Sequence, residues 1–403
     1  MRRNALAIVA AVAGLAVLIG VALAATSGGG GPEPQGNLLV NREGMIDVSN
    51  SPTVAYNPAR EGNVVVTYRK DRPGYDALIS YSFNGGDSWE QSILPLPQGI
   101  TGCTASQGAP CPFAPDLAFA PDGTLYVVYV NLVGNGNRPD NLWISTSTDG
   151  GRTLSLPTKI AGPLTFQQRV TVDPKGPVYV TYVQAAEVGF LRFADPPPRI
   201  VTARSDDGAK TFGAPVPVSD QARPRVLAPS PVIDRDGQLV VMYQDMKGNR
   251  RDYEYQEGPA AELPVALVLT RSTDGGRTLS LPTKIAGPLT FQQRVTVDPK
   301  GPVYVTWLQA AEVGFLRFAE PPPRIVTARS DDGGKTFGAP VPVSDQQRPR
   351  VLAPSPVIDR DGQLVVMYQD MKGNRRDYEY QEGPAAELPV ALVLTRSTDG
   401  GRT

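Results

Sequence analysis

An eight-residue pattern, repeated six times, constrains the fold of this 403-residue chain more than any other feature. The octet reads Ser-x-Asp-x-Gly-x-Thr/Ser-aromatic, and one copy runs from Ser205 to Phe212. An aspartate that accepts backbone hydrogen bonds from its own turn, followed by glycine at positive φ, is typical of a tight turn between two strands. The spacing leaves room for one four-stranded sheet per repeat, so the octets predict an all-β propeller with six four-stranded blades. The octets begin at Ser82, Ser147, Ser205, Ser272, Ser330 and Ser397.

The octet resembles the Asp box, or BNR repeat, of the sialidase superfamily, and the resemblance covers roughly residues 38 to 403. It implies that each box joins the third and fourth strands of a blade, on the face away from the active site. The boxes therefore predict the fold rather than the catalytic chemistry. Leu154 and Leu279 depart from the pattern by replacing the aromatic residue, and Ala209 replaces the glycine. The acidic position of the six boxes is occupied by Asn84, Asp149, Asp207, Asp274, Asp332 and Asp399.

Short β-rich runs bounded by turn residues predict the individual strands. The first strands of blades one to four are predicted to begin at Thr53, Asp116, Arg169 and Ser230, and the outer strand of blade two is predicted over residues 154–160. No helix is predicted after the N-terminal apolar segment.

A long duplication fills the second half of the chain. Residues 147–271 return as 272–396 with only five differences, so blades five and six repeat blades three and four. The sequence reaches Thr403 inside the sixth octet. Two interpretations follow. Leu38-Leu39-Val40 supplies the outer strand of the sixth blade and closes the ring, which leaves fewer exposed sheet edges. Alternatively, the chain is a fragment, or the duplication arose by recombination or faulty assembly.

The N-terminal residues predict export. Arg2 and Arg3 precede an uncharged apolar run over residues 5–25, which is either a cleaved signal peptide or a transmembrane anchor. Residues 26–36 form a Gly/Pro linker, and residues 37–403 form the propeller. The propeller is therefore expected outside the cytoplasm, either secreted or tethered to the cell-surface membrane through its N-terminal segment.

The composition excludes several classes of site. The chain contains no histidine, which excludes a Ser-His-Asp triad, a histidine base and histidine-ligated metals. Cys103 and Cys111 are expected to form a disulfide in an exported protein, the alternative being two free thiols. The stretch 234–237 faintly resembles a calcium loop, but Asp-Gly hairpin turns are far commoner. No metal and no cofactor is predicted, and the net charge of −1 argues against a nucleic-acid partner.

The candidate site lies on the face opposite the octets, where the loops between second and third strands and between blades gather. The family resemblance implies arginines that bind a sugar carboxylate, a tyrosine nucleophile tuned by a glutamate, and an acid/base aspartate. A solvated polar loop is the other interpretation of these residues. The catalytic candidates are Tyr253 and Glu254 with Asp71 or Asp76, and the substrate-binding candidates are Arg169, Arg192, Arg225 and Arg250.

Two functional hypotheses follow. The first is an exported, carbohydrate-active, sialidase-like propeller, whose sharpest form is an exo-α-sialidase-type glycoside hydrolase. The second is a non-catalytic extracellular scaffold that binds a glycan, a glycoconjugate or an extracellular protein. Two features favour the scaffold. The Arg-Ile-Pro signature of sialidases is absent between residues 37 and 82, and the duplicated blades repeat one surface.

Overall fold

The computed structural model describes residues 49–70, 76–97, 111–133, 138–185, 198–219, 226–246, 265–287, 290–309, 323–344, 351–359, 362–371 and 390–402. These residues form six antiparallel sheets, one for each predicted blade, and include no helix. The predicted all-β, six-bladed propeller is therefore confirmed. The described residues accordingly offer no helical candidate for crossing a membrane. The N-terminal apolar segment, its linker and residues 38–40 lie outside the described residues.

Each of the first five blades contains four strands that follow one another along the chain. Blades one and two contain β1 (Ser49–Tyr56), β2 (Val64–Lys70), β3 (Asp76–Ser82), β4 (Glu90–Ser92), β5 (Cys111–Phe119), β6 (Leu125–Val133), β7 (Arg138–Ser147) and β8 (Thr158–Ala161). Blades three and four contain β9 (Thr165–Val172), β10 (Val178–Gln184), β11 (Arg199–Ser205), β12 (Val216–Pro217), β13 (Val226–Ile233), β14 (Leu239–Met246), β15 (Val265–Ser272) and β16 (Thr283–Ala286).

The duplicated blades five and six have the same order. Blade five contains β17 (Thr290–Val297), β18 (Val303–Gln309), β19 (Arg324–Ser330) and β20 (Val341–Pro342). Among the described residues, blade six contains three strands: β21 (Val351–Ile358), β22 (Leu364–Met371) and β23 (Val390–Ser397).

Apolar side chains between neighbouring blades form the core. The second strand of each blade is rich in Val, Tyr and Leu, and in β6 nearly every residue is buried because a neighbouring blade covers each face. Between blades two and three, Val128 and Ile144 pack with Val180 and Tyr182. Similar clusters join blades one and two, three and four, four and five, and five and six. This packing fixes the first strands next to one another along the axis.

The first five octets form the predicted turns between third and fourth strands, and the sixth follows the third strand of blade six. In all six, the serine Oγ donates to the acidic-position Oδ1 at 2.7–2.8 Å. The same Oγ accepts the N–H of the fifth octet residue at 2.7–2.9 Å. Asn84 replaces the carboxylate without changing these two contacts. The turn at Asp234 is likewise a hairpin, since Asp234 Oδ1 accepts the N–H of Asp236 and of Gln238.

The first strands are longer than the sequence pattern predicts. Those of blades one to four begin at residues 49, 111, 165 and 226, several positions before the predicted starts. Each contains a bulge at which the register shifts, and the bulge interrupts the alternation on which the prediction depended. The predicted outer strand at 154–160 is also corrected. It begins only at Thr158, because Ser155 accepts the N–H of Thr146 in the loop after the octet.

Candidate functional site

The bulges of four neighbouring first strands place non-glycine residues at positive φ. The φ angles are 49° at Ala114, 49° at Gln167, 54° at Ala228 and 51° at Gln292. Such backbone is strained, persists where the surroundings support it, and is concentrated at functional sites in proteins. In blades one to five the octet joins the third and fourth strands, so antiparallel order puts the turn between first and second strands at the same end. The bulges therefore lie toward the opposite end, where the site is expected.

Hydrogen bonds between blades hold these bulges in place. The Gln168 Nε2 donates to the Ala114 carbonyl oxygen of the preceding blade. The Ala228 N–H donates to Gln167 Oε1 at 2.8 Å, and Gln293 Nε2 donates to the Ala228 carbonyl oxygen at 3.0 Å. These hydrogen bonds link blade two to blade three, blade three to blade four, and blade four to blade five.

Three charged residues lie beside this linked set of bulges. Asp116 of blade two is buried, and its Oδ2 accepts the N–H of Val170 at 2.9 Å. Arg169 of blade three approaches the same carboxylate, with 3.5 Å between Arg169 Nη1 and Asp116 Oδ1. Arg294 of blade five is close enough for the charges of both Asp116 and Arg169 to act on it, and it donates to the Gln293 carbonyl oxygen at 3.0 Å.

Among the described residues, these three side chains carry two positive charges and one negative charge. Burial raises the pKa of Asp116, and the Arg169 charge and the Val170 N–H oppose that rise. Desolvation lowers the pKa of Arg294, and the positive charge of Arg169 lowers it further. Both arginines nevertheless keep access to solvent. Two guanidinium groups that reach water beside one buried carboxylate have the chemistry that attracts an anion, particularly a carboxylate or sulfate that accepts paired hydrogen bonds.

Unused hydrogen-bonding capacity adjoins the arginines. Gln168 Oε1 and Gln293 Oε1 are buried, and neither has a hydrogen-bond partner within the part of the chain that the structure describes. Buried amide oxygens are normally satisfied, so such exceptions call for an explanation. Gln168 and Gln293 are the sequence neighbours of Arg169 and Arg294, and a buried water could donate to their amide oxygens.

A cavity at the octet end between blades three and four is lined by Arg204, whose guanidinium already has partners. Arg204 Nε donates to Asp206 Oδ1 at 2.8 Å, and Arg204 Nη1 donates to Tyr179 OH at 3.1 Å and to the Gly275 carbonyl oxygen. These contacts join the two blades. The cavity is therefore explained by structural contacts rather than by a ligand.

The predicted site residues have different outcomes. Arg169 lies at the site described above, and Asp76 is the first residue of β3, with its side chain outside the description. Cys111 is the first residue of β5, but Cys103 is not described, so their disulfide stays a prediction. The remaining candidates lie outside the described residues, and their roles also stay predictions: Asp71, Arg192, Arg225, Arg250, Tyr253 and Glu254.

Sequence reasoning missed two members of the cluster. Arg294 is the copy of Arg169 in the duplicated half, and that correspondence could have identified it. Asp116 opens a run of apolar residues and could have been noticed as a carboxylate in a buried strand. What the sequence could not provide is the packing that brings blades two, three and five to one axis.

Comparisons with known proteins give the fold. No family model and no curated protein matches the chain. Among solved structures, a Penicillium chrysogenum α-L-arabinanase has a TM-score of 0.53 at 15% identity, covering 80% of this chain and 89% of its own. An ulvan lyase has a TM-score of 0.54 at 14% sequence identity, with 85% of this chain and 79% of the lyase covered. The NanB sialidase from Streptococcus pneumoniae has a TM-score of 0.53 at 9% identity, with 83% of this chain and 67% of the sialidase covered. The likeness is one of fold. This chain has a sialidase-like propeller fold.

Proposed function

We propose that this chain is a carbohydrate-active propeller that recognises an acidic glycan at Arg169 and Arg294. The pair of solvent-accessible guanidinium groups at the axis is the observation that carries the proposal. A sugar carboxylate or sulfate would accept hydrogen bonds from both arginines, while sugar hydroxyls would donate to Gln168 and Gln293. Asp116 acts as a positioning residue, because its carboxylate is buried against the Val170 N–H and faces Arg169.

The fold likenesses are compatible with this chemistry. The sialidase is named for an acidic sugar, and the ulvan lyase is described bound to a glucuronate and sulfated rhamnose unit. Neither protein's substrate transfers to this chain by likeness of fold alone. The acidic-glycan proposal therefore depends on the arginines of this chain.

The catalytic form of the proposal is hydrolysis of the exo-α-sialidase type. It rests on the resemblance of the octets to Asp boxes and assigns Tyr253 as nucleophile, Glu254 as its partner and Asp71 or Asp76 as acid/base. Export, anchoring through the N-terminal segment and the disulfide between Cys103 and Cys111 belong to the same proposal.

The non-catalytic form of the proposal has one specific observation in its favour. Within the described part of the chain, Asp116 is the carboxylate whose charge acts on Arg294, and hydrogen bonds already occupy it. A retaining mechanism that uses a tyrosine nucleophile still needs an acid/base group near the scissile bond. Binding without turnover requires only the arginines and the amide oxygens.

The discriminating experiment combines binding and turnover on the same preparations. A fluorogenic α-sialoside reports hydrolysis, and sialylated and glucuronate-containing oligosaccharides with their carboxyl-reduced counterparts report binding. Arg294→Gln removes one guanidinium, and Arg324→Gln in the same blade is the matched control, because Arg324 is exposed at the start of β19. Binding of acidic but not reduced glycans, lost in Arg294→Gln alone, supports the proposal. Equal binding of acidic and reduced glycans would refute it. Hydrolysis of the fluorogenic α-sialoside would favour the catalytic form of the proposal, and binding without hydrolysis would favour the non-catalytic form.

A further inference from the structure

Two pairs of neighbouring blades are joined in the same way along the axis. Gln168 of blade three donates through Nε2 to the carbonyl oxygen of Ala114 in blade two, and Gln293 of blade five donates to that of Ala228 in blade four. Ala114 and Ala228 both have positive φ, at 49° and 54°. The contact between blades four and five therefore repeats the contact between blades two and three.

The residue two positions after each of these alanines differs in charge between the two pairs. It is Asp116 in blade two and Ser230 in blade four. In both blades this is where pairing with the second strand resumes after the bulge, since Asp116 lies opposite Val128 and Ser230 lies opposite Met242. Ser230 therefore occupies in blade four the place that the buried carboxylate occupies in blade two.

This difference changes the surroundings of the two arginines. Asp116 Oδ1 lies 3.5 Å from Arg169 Nη1, and Asp116 Oδ2 accepts the N–H of Val170 at 2.9 Å. Arg294 is the copy of Arg169, yet among the described residues no carboxylate forms an ion pair with it. Its guanidinium donates instead to the Gln293 carbonyl oxygen at 3.0 Å. Blade two thus supplies a counter-ion to Arg169, whereas blade four offers Arg294 a serine.

The charges that act on Arg294 favour an added anion. Desolvation lowers the pKa of Arg294, the positive charge of Arg169 lowers it further, and the negative charge of Asp116 opposes them with a smaller effect. A cation that is partly removed from water is stabilised by an opposite charge close by. The side chain of Arg294 also reaches solvent, so a ligand can approach it.

We propose that Arg294 binds the acidic group of the ligand, and that Ser230 determines this choice because it places no negative charge where Asp116 pairs with Arg169. The inference rests on the proposed function and narrows it, since Arg169 is left with a secondary contact and one acidic group per ligand suffices. Ser230 is a specificity-determining residue that acts through Arg294. An aspartate in its place would pair with Arg294 and compete with the acidic group.

The first test is a calorimetric titration of a glucuronate-containing oligosaccharide into the wild type, Ser230→Asp and Ser230→Asn. Asparagine is the matched control, because it has the size of aspartate without the charge. Asp116 shows that the fold accommodates a carboxylate at the equivalent position, and thermal melting verifies that both variants fold. We expect about a tenfold or greater loss of affinity in Ser230→Asp and less than about a threefold change in Ser230→Asn. Wild-type affinity in Ser230→Asp would overturn the proposal.

A second readout needs no glycan, so it separates a failure of this inference from a failure of the proposed function. Phenylglyoxal reacts with the uncharged form of a guanidinium group, and a paired carboxylate disfavours that form. Arg169 and Arg294 are therefore labelled in the folded protein and located by mass spectrometry. Cyanogen bromide cleaves after methionine, and Met242 and Met246 lie between the two arginines, so their otherwise identical peptides come from different fragments.

We expect Arg294 to react faster than Arg169 in the wild type, and Ser230→Asp to slow the labelling of Arg294 by about tenfold, as a rise of about one unit in its pKa would. Labelling of Arg294 that is no faster than that of Arg169 and is unchanged in Ser230→Asp would overturn the inference. If labelling follows the expectation but the wild type binds no acidic glycan, the acidic-glycan proposal fails, and Ser230 is still the residue that leaves Arg294 without a counter-ion.

Discussion

Met242 and Met367 occupy the same position in two copies of one strand, yet the first is fully buried and the second is 44% exposed. Their strand neighbours are equivalent: Met242 lies between Ser230 and Leu269, and Met367 lies between Ser355 and Leu394. The local sequence therefore does not decide burial at this position. The neighbouring blade does, which makes the duplication an internal control for the energetics of packing between blades.

The two methionines should respond differently to truncation. Met242→Ala removes a buried side chain and leaves a cavity, so we expect it to lower the free energy of unfolding by about 2–5 kcal/mol. Met367→Ala removes a partly exposed side chain and should cost less than about 1 kcal/mol. Urea denaturation at low protein concentration measures both. Equal costs at the two positions would mean that Met367 is packed as well as Met242.

The octet carboxylates should make stability depend on acidic pH. The hydroxyl and N–H of Thr211 and the hydroxyl of Ser205 lower the pKa of Asp207 to about 2. A carboxylate with a lowered pKa in the folded state contributes stability above the unfolded pKa of about 4, and that contribution is lost as pH falls toward 2. We expect the melting temperature to fall between about pH 4 and pH 2.

Asparagine provides the matched test at this position, because Asn84 forms the equivalent turn in the first octet. Asp207→Asn should keep the turn at neutral pH and reduce the acid dependence of the melting temperature by the share that Asp207 contributes. Asp207→Ala should lose the turn contacts at every pH. A pH profile of Asp207→Asn that superimposes on the wild type would contradict the assignment.

Arg204 links blades three and four and should be sensitive to truncation. Its guanidinium donates to Asp206, to Tyr179 and to the Gly275 carbonyl oxygen of the next blade. Arg204→Ala removes all three contacts, so we expect a loss of about 1–3 kcal/mol in the free energy of unfolding. Arg199→Ala, at an exposed position in the same strand, is the control. No difference between the two variants in chemical denaturation would show that this link contributes nothing.

The octets made the fold predictable, because their serine and acidic residues form the turn through local hydrogen bonds. The bulges were not predictable, because Ala114 and Gln167 adopt positive φ only with support from neighbouring blades. Of the candidate site, Arg169 was identified from its place at the predicted start of a first strand. Asp116 and Arg294 become its neighbours only through contacts between blades, which the chemistry of a short segment does not encode. The exposure of Met367 is unpredictable for the same reason, since its buried copy has the same local sequence.

The most direct test of the account is a calorimetric titration of one acidic oligosaccharide into the wild type and Arg294→Gln, repeated with the carboxyl-reduced oligosaccharide. A hydrogen bond to a charged group contributes about 1.5–3 kcal/mol, so we expect about a tenfold or greater loss of affinity for the acidic ligand in Arg294→Gln. The reduced ligand should bind weakly to both proteins. Undiminished affinity of Arg294→Gln for the acidic ligand would contradict an anion site at the axis.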